Sequence, residues 1–167
     1  MKKTISIIIS IAMCAMLASC GGVKNEVSDT EQPTLIDTMS LEEKVGQILF
    51  VRCVDDEQTD DLMSIKPGGI LMFGRDFEGL TKDEVKEKIQ SYQDKSDIPL
   101  IIGADEEGGT VVRVSSNPNL APEKFKSPQE IYNEGGMDAV VENATEKSEL
   151  LLSLGVNMNL APVADVS

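Results

Sequence analysis

Two apolar, strand-like runs end in carboxylates, and those ends are where chemistry could occur. Leu100-Ile101-Ile102-Gly103-Ala104 leads into Asp105-Glu106-Glu107-Gly108-Gly109, with Arg113 shortly beyond. Residues 156–161 lead through Pro162 to Asp165. Acidic side chains at the carboxyl ends of parallel strands stand where α/β folds place their sites. Two carboxylates on one rim could hydrolyse a glycosidic bond, one as nucleophile or base and the other as acid. Retention needs them about 5–5.5 Å apart and inversion about 6.5–9.5 Å, and neighbouring strands can supply either. Spacing alone therefore permits Asp105 to pair with Asp165. Asp105, Glu106 and Glu107 cannot all face one ligand, because successive strand side chains alternate sides. The glycine pair allows a sharp turn that would return Arg113 to the same mouth. Arg75, just after another strand-like run, also falls near that mouth, where a salt bridge is the simpler role. The plain alternative for all of them is a solvated acidic turn in a chain rich in acids.

The chain has 167 residues, 15 Lys+Arg against 29 Asp+Glu, and no histidine. Its formal net charge of -14 argues against nucleic acid as a partner, since little is available to neutralise phosphates. Without histidine, Ser-His-Asp and Cys-His catalysis and His-ligated metals are excluded within this chain. With 41% hydrophobic and 26% charged residues, the composition is that of a folded protein.

Alternating elements must position the two rims. Ser40-Leu41-Glu42-Glu43 is a capping box that starts a short helix running toward Val45. Residues 48–51 read as a strand buried on both faces, and residues 55–65 as a short acidic helix. Pro67-Gly68-Gly69 then punctuates before a second buried strand at 70–73. Thr81-Lys82-Asp83-Glu84 is another capping box, opening a helix with Val85, Ile89 and Tyr92 on one face. Residues 100–104 form the third strand. After a long loop, Val140, Ala144, Lys147, Leu151 and Leu154 share a helical face that Lys147 interrupts, its stem snorkelling to water. Gly155 stops that helix, residues 156–161 form the fourth strand, and Pro162 ends its ladder. Strands separated by helices predict an α/β fold with a parallel sheet, either doubly wound or closed as a (β/α)8 barrel. No Gly-x-Gly-x-x-Gly and no Walker A sequence is present, so nucleotide-binding versions lose support.

The amino terminus reads as an address. Lys2 and Lys3 precede an apolar run over residues 5–17, broken only by Ser6 and Ser10. It is too short to span a bilayer, which takes about 20 residues, and fits a signal peptide. Leu17-Ala18-Ser19-Cys20 resembles the bacterial lipobox, whose cysteine accepts a lipid. Residues 1–19 are thus expected to be a lipoprotein signal and Cys20 a lipid anchor. Residues 20–37 would be a flexible tether and 38–167 the domain, outside the cytoplasm and held to a membrane. Cys14 would leave with the signal, so Cys53 would remain as a small buried hydrophobe with no disulfide partner.

Residues 100–114, LIIGADEEGGTVVRV, resemble the Asp-x-Glu-Gly-Gly-x-Val-x-Arg signature of family 3 glycoside hydrolases. VNMNLAPVADV at 156–166 is similar to the fourth-strand segment of the same barrel domain. MSLEEKVGQILF and GGILMFGR resemble its opening helix and second strand. The resemblance covers roughly residues 38–167 and looks most like the β-N-acetylhexosaminidase branch, with β-glucosidases second. It implies the amino-terminal half, about four βα units, of a (β/α)8 barrel, and a retaining mechanism through a glycosyl-enzyme intermediate. It also implies that the motif aspartate and arginine, Asp105 and Arg113 by position, bind sugar hydroxyls and do not cleave the bond. Asp165 is left with a rim-structuring role.

In that branch the acid/base is a histidine after the fifth strand, beside a Lys-His pair, and the nucleophile is an aspartate after the seventh. The resemblance thus implies that no catalytic residue lies in this chain, that the 167 residues are a truncated, inactive piece, and that no cofactor is needed. The implied partner is a carbohydrate, an amino-sugar oligosaccharide or peptidoglycan fragment. A non-catalytic lipoprotein that binds glycans is the rival from another class.

Overall fold

The computed structural model describes residues 34–52 and 58–164. Cys20, Cys53, Asp165 and the expected signal segment lie outside the described residues, as does the expected tether up to residue 33. Leu35–Thr38 (α1) is one helical turn where the tether was expected to continue to residue 37. Helix α2, Leu41–Gln47, starts at the expected capping box: the Ser40 hydroxyl accepts from the Glu43 N–H, and the Glu43 carboxylate accepts from the Ser40 N–H. Strand β1 is only Phe50–Val51. It is followed by α3, Thr59–Ser64, β2, Gly69–Met72, and the short α4, Gly74–Phe77. Helix α5, Lys82–Gln93, opens on the Thr81–Glu84 box and buries Val85, Ile89 and Tyr92 as their spacing predicts. Strand β3 is Ile101–Ala104.

Helix α6, Pro128–Leu154, begins twelve residues before the periodic face at Val140, so the long loop is shorter than expected. A third capping box, Ser127 with Glu130, and Pro128 in the first turn start it. A kink at Gly136, with φ at +68°, interrupts the helix, and Gly155 caps it in the left-handed conformation. The kink divides the apolar pattern, which is why periodicity registers only the second segment. Strand β4 is Met158–Asn159, shorter than the expected 156–161. On either side of it, side chains take over the ladder: Asn157 bonds the backbone of Ile102 and Leu100, and Asn159 that of Glu106.

All strand pairs are parallel and the spatial order is β1-β2-β3-β4, the order of the chain. A doubly wound sheet reverses direction at a switch point, whereas a barrel adds each strand beside the last. The sequential order thus decides between the two closures left open: these are four parallel strands of a (β/α)8-type barrel.

Register separates two faces of the sheet. Ile70, Met72, Ile102 and Ala104 face the helices and pack with Val85, Ile89, Tyr92, Leu151 and Leu154. The other face carries Phe50, Leu71, Ile101 and Met158. The Phe50 ring lies across β2 and β3, where a Cβ on Gly69 or Gly103 would come within 2.6 or 2.5 Å of it. This face is half open, with Phe50 38% and Ile101 42% exposed. Residues 48–51 are therefore not a strand buried on both faces. Ile48 is instead the C-cap of α2 and 80% exposed.

Each capping-box glutamate is held below the ordinary carboxylate range. Glu43 is lowered first by its hydrogen bond from Lys66, Glu84 by the Thr81 N–H, and Glu130 by the Ser127 hydroxyl. A carboxylate lowered in the fold stabilises above its unfolded value, and that contribution is lost as pH falls through the folded one. Stability is therefore expected to decline as pH falls below the ordinary glutamate value of about 4.3. The triple variant Glu43→Gln, Glu84→Gln, Glu130→Gln should flatten that limb, as read from urea midpoints against pH. An unchanged slope would place the acid sensitivity elsewhere.

Candidate functional site

The site begins where β3 ends. Asp105 follows the last strand residue, and beyond it Gly108 (φ +103°) and Gly109 (φ +66°) turn the chain back. A Cβ on Gly108 would sit 2.1 Å from the Lys126 carbonyl oxygen, so only glycine fits. The Glu107 and Gly108 N–H groups both donate to the Val111 carbonyl, and the Gly109 N–H donates to that of Phe125. The turn thus brings Arg113 back as its spacing predicts: its Nη2 lies 3.1 Å and its Nε 3.4 Å from Asp105 Oδ2.

Alternation sorts the three acids. Glu106 is fully buried and receives the N–H groups of Arg113, Val114 and Ser115 and the Ser115 hydroxyl. It is the internal frame of the hairpin. The Glu107 carboxylate accepts from the Val163 N–H, tying the hairpin to the segment after β4. The Asp105–Arg113 pair is left part-exposed, at 23% and 29% of side-chain surface. Both Arg113 bonds fall on Oδ2, so Oδ1 of Asp105 has no protein partner among the described residues. One acceptor oxygen and spare guanidinium N–H groups remain, a combination that matches neighbouring sugar hydroxyls.

Two further groups sit on this rim and escape sequence reasoning. Phe73, directly after β2, has Arg113 Cζ at 5.6 Å from its ring centre and Arg52 Cζ, directly after β1, at 4.2 Å. Both distances are within cation–π range. The rule that barrel sites gather at strand carboxyl ends points to both positions, but Phe73 also reads as the last residue of a buried strand. Arg75 stands exposed on α4.

Lys147 departs from its expected role. Its head turns inward: the residue is 7% exposed, and Nζ donates to the Glu107 carbonyl at 2.6 Å. Burial lowers its pKa, against the opposing fields of Glu106 and Glu107. A lysine lowered in the fold costs stability while charged there, and the cost is relieved as pH rises from the folded value toward the unfolded one. A cavity of about 230 Å³ lies against Glu106, Glu107, Lys147 and Asn159. A larger one of about 380 Å³, lined by Met39, Met63 and Ile98, lies at the opposite, amino-terminal ends of the strands.

Sequentially ordered parallel strands define a barrel-type domain, and a part-exposed acid–guanidinium pair stands at their carboxyl ends as its candidate site. Residues 40–167 match the glycosyl hydrolase family 3 N terminal domain, and the chain belongs to this family. It is 23% identical over 113 residues to the β-hexosaminidase of Haemophilus influenzae (strain ATCC 51907 / DSM 11121 / KW20 / Rd), covering 68% of this chain and 32% of that one. With the β-hexosaminidase A of Pseudoalteromonas piscicida it shares 30% identity over 103 residues, 60% of this chain and 17% of the other. Among solved structures, a family 3 β-N-acetylglucosaminidase from Paenibacillus sp. str. FPU-7 superposes with a TM-score of 0.64 at 26% identity. That match covers 74% of this chain and 24% of the other. The chain therefore spans a third or less of the length of these relatives.

Proposed function

We propose that the intact protein is a retaining β-N-acetylhexosaminidase that removes terminal β-linked N-acetylglucosamine from peptidoglycan fragments or chito-oligosaccharides. The observation that carries this is the Asp105–Arg113 pair on the barrel rim, with Oδ1 of Asp105 left over as an acceptor. In this reading Asp105 accepts protons from sugar hydroxyls and Arg113 donates to their oxygens, fixing the terminal ring while other residues cleave the bond. That the similar proteins are named β-hexosaminidases supports an amino-sugar reading over a glucose one. The acid/base and nucleophile come from the remainder of the protein, and the 167 residues alone bind sugar without cleaving it.

Release of nitrophenol from p-nitrophenyl N-acetyl-β-glucosaminide by the intact protein, but not by the 167-residue chain, is the expected result. Faster turnover of the matching β-glucoside would replace the hexosaminidase reading with the glucosidase one. No turnover of either by the intact protein would leave a glycan-binding lipoprotein. We also propose that Cys20 is lipidated and anchors the domain to a bacterial membrane outside the cytoplasm, on the strength of the Leu-Ala-Ser-Cys segment after an apolar run. Wild-type protein is then expected in the detergent phase of a Triton X-114 partition and Cys20→Ala in the aqueous phase. Equal partition would remove the anchor.

A further inference from the structure

We propose that Lys147 is a positioning residue for the sugar site: its buried ammonium pins the Glu107 carbonyl and so holds the glycine turn in the shape that returns Arg113 to Asp105. This rests on the reading of Asp105 and Arg113 as sugar ligands. Lys147 lies on the helical face of α6 that also buries Leu151 and Leu154. An apolar side chain there would simply extend the core. Instead the position holds an ammonium 7% exposed, with no carboxylate oxygen within salt-bridge distance among the described residues. Burying a lysine without a paired anion is costly, so stability does not explain the residue. The direction of its pKa agrees, since burial is the leading cause of its lowering.

What the ammonium touches explains it better. Nζ meets the Glu107 carbonyl at 2.6 Å and faces the Phe125 ring at 5.6 Å. Glu107 is the residue whose N–H closes the hairpin onto Val111. On the next residue, Gly108, a Cβ would meet Lys147 Nζ at 3.3 Å and the Lys126 carbonyl at 2.1 Å. The turn is therefore gripped from two sides, by residues 125–127 and by Lys147. Glu106 fixes the returning strand from within. With Lys147 absent, the Glu107 peptide loses the contact that ties it to α6. The turn can then rotate about its two glycines, and Arg113 at its far end drifts from Asp105.

The test uses the intact protein with Lys147→Met, which keeps length and apolar volume, and Lys147→Arg, which keeps a charged donor. Lys147→Met is expected to melt no lower than wild type while KM for the N-acetylglucosaminide rises about fivefold, the loss of one hydrogen bond's worth of positioning, with a smaller change in kcat. Lys147→Arg is expected to recover part of the affinity. A methionine variant that unfolds, or that melts lower with KM unchanged, would make Lys147 a stability residue and overturn the proposal. If the wild type hydrolyses nothing, the functional reading fails separately, and NMR of the Arg113 Nε–H and the Gly108 and Gly109 amides decides. Signals displaced in Lys147→Met support the strut, and unmoved signals overturn it.

Discussion

Replacing Glu106 with alanine is expected to remove about 3–5 kcal/mol of folding stability, a large share of the 5–15 kcal/mol typical of a domain. The side chain is fully buried, and its two oxygens receive three backbone N–H groups and one hydroxyl. Alanine leaves all four donors without their acceptor. Glu106→Gln sharpens the test, because it keeps the shape while turning one oxygen into an NH2 group that faces donors. It is expected to lose about half as much as alanine, since only one oxygen's set of bonds is spoiled. Urea denaturation of the two variants measures both. A loss under about 1 kcal/mol for alanine would mean that the hairpin is not organised around this carboxylate.

Replacing the adjacent Asp105 is expected to do the reverse. Asp105→Ala should leave stability within about 1 kcal/mol of wild type, because the Asp105–Arg113 pair is part-exposed and such pairs contribute little. For the intact protein, kcat/KM on the N-acetylglucosaminide should fall about 10²–10³-fold, since a charged acceptor for sugar hydroxyls is lost and Arg113 is left unpaired. Asp105→Asn, which keeps one acceptor, is expected to fall between. Steady-state kinetics with a thermal melt as control separate the cases. Unchanged kinetics would remove Asp105 from the sugar site. Two neighbouring carboxylates thus divide the work because a strand end sends them to opposite sides, one to the interior and one to the rim.

Much of this arrangement is legible in the chain. The capping boxes at Ser40 and Thr81, the Val85, Ile89 and Tyr92 face and the Gly155 stop are local signals, each settled within a turn or two of helix. The glycine turn that returns Arg113 to Asp105 is legible too, since glycine takes positive φ without strain, although contacts from residues 125–127 and Lys147 hold its shape. Strand ends are less legible: β1 and β4 shrink to two residues each, because pairing depends on neighbours that a single segment does not contain. The kink at Gly136 hides the first turns of α6 from any periodic test.

Order along the chain and local chemistry were enough to specify an α/β domain, its family signature and the acid–arginine pair at one strand end. The element pattern left two closures open and the family resemblance implied the barrel; the spatial order of the strands, a property of long-range pairing, displays it only in the tertiary structure. The same holds for Glu106, Phe73, Arg52 and Lys147. Each is an ordinary residue in its own segment and takes its role from atoms outside it, 7–9 residues away for Glu106 and 40 for Lys147 with the Glu107 carbonyl. A lysine among apolar neighbours on a helix looks like a stem reaching for water until the fold sets a carbonyl in front of it. Burial and partners arise only when segments meet, and here they separate Glu106, which holds the frame, from Asp105, which is left part-exposed on the rim.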